Sequence, residues 1–271
     1  MVDLDLRACL DTAIEAAGKG GEVLRKYWGK LRDVQTKSYK GDLVTEADKE
    51  SEEVILSFLR SRYPDHAVIG EETGASHEGA QPYLWAVDPL DGTTNYTHQY
   101  PMVCVSIGLL VHGEPVLGVV YNPIHDELFE GARGLGVRVN GRDARVSAVD
   151  SLDQGLLVTG FAYDRRVTAD NNYAEFCHLV TCAQGVRRAG AAALDLAYCA
   201  AGRVDGYWER GLKIWDVAAG VALVLEAGGR ASAYDGAAID LYSGQVLVSN
   251  GRIHDALSRE LIEVRSAKQL G

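Results

Sequence analysis

The densest chemistry in the chain lies at Trp85-Ala86-Val87-Asp88-Pro89-Leu90-Asp91-Gly92-Thr93-Thr94-Asn95. An apolar strand ends at Asp88, Pro89 stops its pairing, Gly92 permits a backbone angle most residues avoid, and Thr93-Thr94 opens a helix. Asp88 and Asp91 thus share one turn beside the free amides of a helix start, which suit a phosphate. Two carboxylates about 4 Å apart repel by about 4 kcal/mol at an effective dielectric near 20, so a packed pair calls for a cation or a shared proton. All-oxygen ligands favour Mg²⁺, Mn²⁺ or Ca²⁺ over zinc. Taken alone, Asp-Pro-x-Asp-Gly is equally an ordinary polar turn. Two other carboxylate motifs bear on the choice. Gly70-Glu71-Glu72-Thr73 follows an apolar strand, and Trp215-Asp216 starts a helix that continues Val217-Ala218-Ala219-Gly220. An N-cap role for Asp216 and a solvated acid at Glu72 are the plain alternatives.

Other chemistries find little support. Cys9, Cys104, Cys177, Cys182 and Cys199 form no C-x-x-C pair, are odd in number and sit in apolar surroundings typical of buried free thiols. A reducing compartment fits them. His66, His77, His98, His112, His125, His178 and His254 show no metal-pair spacing and read as surface or loop residues. Acidic residues outnumber basic ones by 11, 38 against 27, a balance that repels a nucleic-acid backbone. An anionic substrate would need metal ions to supply the attraction. Met1-Val2-Asp3-Leu4-Asp5-Leu6 is acidic where a signal peptide is basic, and apolar runs such as 217–225 fall far short of the ~20 residues that span a bilayer. A cytoplasmic location and no membrane partner are expected.

The elements that must position these residues follow from periodicity. Leu6, Leu10, Ala13, Ala17, Leu24 and Trp28 recur at helical spacing, as do Val54, Ile55, Phe58 and Leu59 after Thr45. Between these two helices, residues 37–42 are polar and unperiodic, which suggests a mobile connection. Short β-type runs follow at 67–70, 84–87, 103–111, 116–121, 127–132 and 137–146, the last folded around Asn140-Gly141. Turns rather than helices join them, so residues 1–150 read as a mostly antiparallel sheet with helices on one face. Residues 151–271 alternate as an α/β half: strands at 156–159, 186–188, 206–208 and 245–249, with helices at 169–183, 191–202, 216–227 and from 253. With no Pro- or Ser-rich linker between them, the halves are expected to be closely packed subdomains with the site between.

Gly70-Glu71-Glu72, Asp88-Pro89-Leu90-Asp91-Gly92-Thr93-Thr94-Asn95 and Trp215-Asp216-Val217-Ala218-Ala219-Gly220 occur in the order and approximate spacing of the inositol monophosphatase family. These are metal-dependent, lithium-sensitive phosphatases. The resemblance runs from Leu43-Val44-Thr45-Glu46-Ala47-Asp48 through Glu226-Ala227-Gly228-Gly229 to Val248-Ser249-Asn250. It implies an α/β (α+β) fold layered α-β-α-β-α, sugar-phosphatase-like, and a homodimer. It also implies two or three Mg²⁺ ions, with Mn²⁺ able to substitute. Glu71, Asp88 and the Leu90 carbonyl match the ligands of the first ion, and Asp88, Asp91 and Asp216 those of the second. Glu71 also matches the residue that holds a weaker third ion. Thr93 and Asp48 match a pair that orients and helps deprotonate the nucleophilic water, so the resemblance makes Glu71, Thr93 and Asp48 catalytic. The amides of Gly92 and Thr93 match phosphate donors. Glu209, with Gly190 and Ala192, matches the wall contacting the substrate's hydroxyls, alongside Asp91 and Asp216. Lys37 matches a lysine on a mobile loop, with a solvated side chain as its alternative. Ala191 departs from the Ser or Thr of many relatives, which is expected to remove a hydroxyl at the edge of that wall.

The resemblance implies hydrolysis of inositol monophosphate to inositol and phosphate. The same chemistry on fructose 1,6-bisphosphate, histidinol phosphate or a nucleotide 3′-phosphate is the nearest alternative, and the size of the chain argues mildly against the bisphosphate and nucleotide branches. A binding or regulatory protein on the same fold is a different class. The intact set Glu71, Asp88, Asp91, Thr93 and Asp216 argues against it. Glu209 discriminates among substrates unless it is spent on a surface cation such as Arg210.

Overall fold

The computed structural model describes residues 4–75, 79 and 81–269. Met1, Val2, Asp3 and His77, on which the sequence carried expectations, lie outside the described residues. Helix α1 (Leu6–Tyr27) starts where the Asp5 carboxylate accepts from the amides of Arg7 and Ala8, and it buries Leu10, Ala13, Ala17 and Leu24. A hairpin of β1 (Val34–Thr36) and β2 (Leu43–Thr45) leads into α2 (Glu46–Arg62). Residues 37–42 are therefore the turn of a paired hairpin rather than an open connection.

The first sheet contains β3 (Ala67–Gly70), β4 (Gly74–Ala75), β5 (Tyr83–Asp91), β6 (Cys104–Val111), β7 (Glu114–Asn122), β8 (Glu127–Ala132), β9 (Gly136–Val139) and β10 (Arg142–Ala144). Its order is β10-β9-β8-β7-β6-β5-β3-β4, antiparallel throughout except for β3 beside β5. Asn140 and Gly141 have φ of 48° and 74°, so the turn between β9 and β10 has the left-handed backbone that Asn-Gly favours.

Helix α3 (Thr93–Thr97) interrupts this sheet after β5. The second half runs β11 (Leu156–Thr159), α4 (Tyr173–Cys182), β12 (Gly185–Arg187), α5 (Ala192–Ala200), β13 (Gly206–Arg210), α6 (Ile214–Glu226), β14 (Arg230–Ser232), β15 (Gln245–Ser249) and α7 (His254–Gln269). Its sheet has the order β12-β11-β13-β15-β14, with β11 parallel to β12 and β13 and the remaining pairs antiparallel.

Five layers result. Leu24 of α1 and Ile55 and Leu59 of α2 share a core with Trp85, Ile107 and Leu109 on one face of the first sheet. On its other face, Leu196 of α5 and Val221 and Leu223 of α6 pack against Val120 and Phe129, and against Tyr207, Val246 and Val248 of the second sheet. The outer face of the second sheet, with Trp208 and Leu247, is covered by Leu179 of α4 and by Leu257 and Leu261 of α7. The α-β-α-β-α layering is as expected from the sequence, but helices on one face of the first sheet is not. The second half supplies α5 and α6 to its other face, because that face is as apolar as the first.

Small residues let α6 sit unusually close. Gly108, Gly118 and Gly131 are register partners across β6, β7 and β8. A Cβ at Gly118 would lie 2.1 Å from the Ala219 carbonyl oxygen, and one at Gly108 would lie 2.7 Å from the Ala218 Cβ. The helix presents Ala218 and Ala219 to this glycine column, and its first turn is thereby held against the end of β5.

Candidate active site

A cleft of about 260 Å³ opens between the sheets, lined by Glu71, Asp88, Leu90, Asp91, Gly92 and Thr93 from the first half and by Gly190, Ala192, Glu209 and Asp216 from the second. Every residue that the sequence assigned to metal, phosphate or substrate, Ala191 at the edge of the wall excepted, therefore lines one cavity. Asp48 lies just behind it, fully buried.

The strand bearing Asp88 does not stop there. β5 reaches Asp91, and the pairing with β6 slips between Asp88, opposite Ser106, and Asp91, opposite Cys104. The proline is carried inside that irregularity, where the ladder needs no donor from it. The slip turns both carboxylates towards the cleft. Asp88 accepts from the Leu90 amide at 2.9 Å, and Asp91 accepts from the Ala193 amide at 2.7 Å, which ties the strand end to the start of α5. Gly92 then has φ of 91°, and a Cβ there would come 2.8 Å from the Met102 carbonyl oxygen. Only glycine combines that angle with that approach.

Asp216 sits in the first turn of α6, which starts at Ile214, earlier than the sequence suggested; its carboxylate accepts from the Lys213 amide at 2.7 Å. Glu71 follows β3 directly. Its carboxylate receives the Lys37 ammonium at 2.8 Å, and the same ammonium reaches Glu72 at 2.5 Å. Glu72 is thus ion-paired rather than a freely solvated acid, and Lys37 lines the cleft rather than extending into solvent.

Charge in the cleft is poorly balanced. Burial, then the charges of Glu71, Asp91 and Asp216, push the Asp88 carboxyl well above the ordinary carboxylate range. Burial and Glu71 do the same to Asp216. Burial raises Asp91 to about 6, against the lowering effect of the Ala193 and Ala192 amides. For Lys37, burial works to lower its pKa, but Glu71 and Glu72 outweigh it and hold the ammonium above its ordinary value. The donor set is all oxygen and mutually repulsive, with Asp88 and Asp91 buried and Glu71 and Asp216 half-buried, so it fits divalent cations of the Mg²⁺ type, and the Lys37 ammonium meets only its Glu71 edge.

Behind the carboxylates, the Thr93 hydroxyl contacts Asp48 Oδ1 at 3.0 Å and the Leu90 carbonyl at 3.2 Å. The other Asp48 oxygen accepts from the Thr45 amide and hydroxyl, at 2.8 and 2.5 Å, as the closing half of the α2 capping box. Burial raises Asp48 to about 6, with Thr45 acting to lower it.

Glu209 lies within β13, which runs to Arg210 and not merely to Trp208. Its carboxylate accepts from the Tyr207 hydroxyl at 2.6 Å and rests on Gly160, where a Cβ would fall 2.0 Å from Oε2. Burial raises it to about 7, while Tyr207 and Arg188 pull it down. Arg210 makes a forked pair with Asp164 at 2.7 and 2.8 Å, so Glu209 is not spent on that cation. Ala191 is buried beside Gly92 and does not line the cleft, contrary to its expected place on the substrate wall.

Sequence reasoning missed several neighbours. Tyr163, Arg188 and Lys213 also line the cleft, and the Asn95 amide nitrogen donates to the carbonyls of Met102 and Ala189, at 2.8 and 2.9 Å, joining the two halves beside Gly190. Asn95 closes the quoted motif and Arg188 directly precedes Ala189-Gly190, so proximity to the motifs was the available signal. Two histidines expected at the surface are buried: His66 stacks between Tyr63 and Tyr83, and His254 lies between the hydroxyls of Ser232 and Ser249. Cys177 is exposed and Cys182 half-buried, while Cys9, Cys104 and Cys199 are buried as expected.

The five-layered arrangement with an acidic cleft between its sheets is that of the sugar-phosphatase-like α/β proteins. The chain belongs to the inositol monophosphatase family, whose pattern it matches over residues 5–268. It is 53% identical over 257 residues to an inositol-1-monophosphatase of Synechocystis sp., a match covering 95% of this chain and 90% of that protein. It is 44% identical over 259 residues to the Nus factor SuhB of Pseudomonas aeruginosa, covering 93% of this chain and 95% of that one. The solved inositol monophosphatase of Anabaena (Nostoc) sp. superposes with a TM-score of 0.88 at 53% identity, covering 96% of this chain and 97% of that one.

Proposed function

We propose that this protein is a Mg²⁺-dependent phosphomonoesterase that hydrolyses inositol monophosphate to inositol and phosphate with an activated water as nucleophile. The observation that carries the reading is the cleft in which Asp88 and Asp91 are buried and Asp216 is half-buried beside them, each carboxyl raised by desolvation and by its neighbours. In this reading Glu71, Asp88, the Leu90 carbonyl, Asp91 and Asp216 would hold two ions, with Asp88 serving both and Glu71 also available to a weaker third. Such ions would offset the anionic charge of the ester, lower the pKa of the attacking water and stabilise the departing oxygen.

The chain's own groups do the rest. Thr93 Oγ1 takes a proton from the attacking water as its own passes to Asp48 Oδ1, 3.0 Å away. Asp48, raised to about 6, is still ionised near neutral pH and close enough to that range to accept the proton usefully. The amides of Gly92 and Thr93 hold phosphate oxygens at the start of α3. Glu209, with Gly190, Ala192 and the outer edges of Asp91 and Asp216, receives the hydroxyls of the alcohol. Tyr207 holds Glu209 in place through its hydroxyl, so an analogue lacking the matching hydroxyl would leave a buried acceptor unpaired at ~1–3 kcal/mol.

The organisation follows the same division, with residues 1–150 as the metal-bearing subdomain and residues 151–271 as the one that completes the site. Mn²⁺ would substitute for Mg²⁺, Li⁺ would inhibit by occupying the Asp216-containing position, and the protein would be a homodimer in the cytoplasm. No described helix is long and apolar enough to cross a membrane.

Phosphate release from a panel of esters with and without Mg²⁺ tests the reading. Inositol monophosphate should be preferred over fructose 1,6-bisphosphate, histidinol phosphate and nucleotide 3′-phosphates. Glu209→Gln should reduce kcat/KM for inositol phosphate far more than for glycerol 2-phosphate. No Mg²⁺-dependent release from any ester would overturn the enzymatic reading, and equal losses on both esters would overturn the role of Glu209.

A further inference from the structure

A second group of metal-ligating side chains lies in the outer helical layer. His178 and Cys182 are four residues apart on α4 and so project from one face of it, and Glu260 meets them from α7. His178 Nε2 is 2.6 Å from Glu260 Oε2, and Cys182 Sγ is 3.5 Å from that nitrogen and 3.8 Å from that oxygen. Among the described residues, no other three His, Cys, Asp or Glu side chains bring their ligand atoms all within 4.8 Å of one another.

A thiol, an imidazole and a carboxylate in contact have two chemical uses. In a nucleophilic relay the base meets the thiol with one ring nitrogen while the carboxylate holds the other. Here both Sγ and the carboxylate oxygen approach the same atom, Nε2, so one ring position cannot serve both and the relay is not built. Three ligand atoms of these types gathered this closely are instead the arrangement of a cation site. Around a tetrahedral Zn²⁺ with bonds of about 2.0–2.3 Å, neighbouring ligand atoms stand roughly 3.3–3.7 Å apart. The two sulfur separations already lie close to that range, and the nitrogen–oxygen contact needs to open by less than about 1 Å. A thiolate and a carboxylate beside a neutral imidazole balance the charge of a divalent ion. Sulfur and imidazole nitrogen also select zinc over the magnesium suited to the all-oxygen cleft. All three side chains are half-buried, which leaves an entry path.

We propose that His178, Cys182 and Glu260 form a zinc site that ties the C-terminal helix α7 to α4. The site has three protein ligands and one open position. A scan for paired histidines or C-x-x-C could not find it, because a mixed His-x-x-x-Cys pair is completed by a residue 78 positions beyond Cys182.

The test uses the full-length protein in excess Mg²⁺, which keeps the cleft occupied. Zinc retained after dialysis is measured by elemental analysis, Tm is measured with and without Zn²⁺, and Co²⁺ is substituted to read the thiolate-to-metal charge-transfer band. One equivalent of zinc is expected in the wild type, with a zinc-dependent rise in Tm and a cobalt–thiolate band. Cys182→Ser and Glu260→Gln should each weaken zinc binding by at least about tenfold, and Cys182→Ser should lose the band. Cys177→Ser, one residue from His178, should keep both. Phosphate release in Mg²⁺ should be unchanged in all three. A wild type that retains no zinc, or a Cys182→Ser variant that retains as much as the wild type, would overturn the proposal.

Discussion

Asp88→Asn should make the metal-free protein more stable while abolishing its activity. Asp88 is 2% exposed and is surrounded by the charges of Glu71, Asp91 and Asp216. Its folded pKa is raised far above the ordinary value of 3.8. The folded state therefore binds more protons than the unfolded state across that interval, and stability falls as pH rises through it. Whatever its folded pKa, the raised carboxyl cannot cost more than the work of protonating an ordinary aspartate, about 4 kcal/mol at pH 7 and about 2 kcal/mol at pH 5. Asparagine is neutral, nearly isosteric, and can still accept from the Leu90 amide, so it removes that cost. In EDTA at pH 7 the variant should be more stable by about 1–4 kcal/mol, a Tm increase on the order of 5 °C for a chain of this size, and the gain should shrink at pH 5. In excess Mg²⁺ that advantage should fall by about 2.7 kcal/mol, because a wild type saturated to 100 times its Kd gains that much and the variant cannot match it. Calorimetry in EDTA and in Mg²⁺ at both pH values, with phosphate release alongside, measures every part of this. A variant less stable than wild type in EDTA at pH 7, or one that is folded and active in Mg²⁺, would refute the assignment of Asp88 to a shared metal position.

Thr93→Ala should lower kcat by roughly 100-fold with KM and Mg²⁺ affinity little changed, since the lost hydroxyl sits between the cleft and Asp48; a raised KM at constant kcat would make Thr93 a binding residue. His254, pushed down to about 4 by burial and then by Arg230, is neutral in the folded state, so its contribution is complete above pH 6.5 and lost as pH falls towards 4. Urea unfolding at pH 7 and pH 4.5 should therefore show a loss in the wild type, up to about 3 kcal/mol, that is smaller in His254→Gln. Gly118→Ala places a methyl 2.1 Å from the Ala219 carbonyl oxygen and should lower stability by about 1–3 kcal/mol. The same substitution should weaken Mg²⁺ binding, because it pushes away the helix that carries Asp216.

How much of this was legible depends on whether the signal was local. The longer strands, the Asn140-Gly141 turn and the Thr45 start of α2 rest on near neighbours and were read correctly, whereas the short strands β1, β2, β4 and β14, which carry too few residues to show a period, were not. The carboxylate motifs were legible because each lies at the end of an element, where backbone amides such as those of Leu90 and Lys213 orient the side chain. Element ends were less so. β5 continues through Pro89 because β6 tolerates a slipped register, which nothing within 83–91 announces. The burial of His254 depends on Ser232, 22 residues away, and the cluster at Cys182 on Glu260, so single-residue expectations failed at both. The placement of α6 against the first sheet was likewise invisible, since the glycine column exists only once β6, β7 and β8 are in register.

The two sheets divide the work of the cleft unequally, and this bears on how its substrate is chosen. The first sheet supplies Asp88, Leu90 and Asp91 from one strand end, and α6 brings Asp216 to them across the glycine column. The second sheet supplies Glu209, held by Tyr207 on the same strand and seated on Gly160. A change on the second sheet can therefore alter what the alcohol meets without moving a metal-facing carboxylate. Beside the cleft the two parts are hydrogen-bonded through Asp91 to the Ala193 amide and Asn95 to the Ala189 carbonyl. Ala191 lies at that joint, buried against Gly92 rather than facing substrate. In the proposed reading, an alanine here would bear on the seating of the loop proposed to hold phosphate, and substrate preference would rest with Glu209 and its supports.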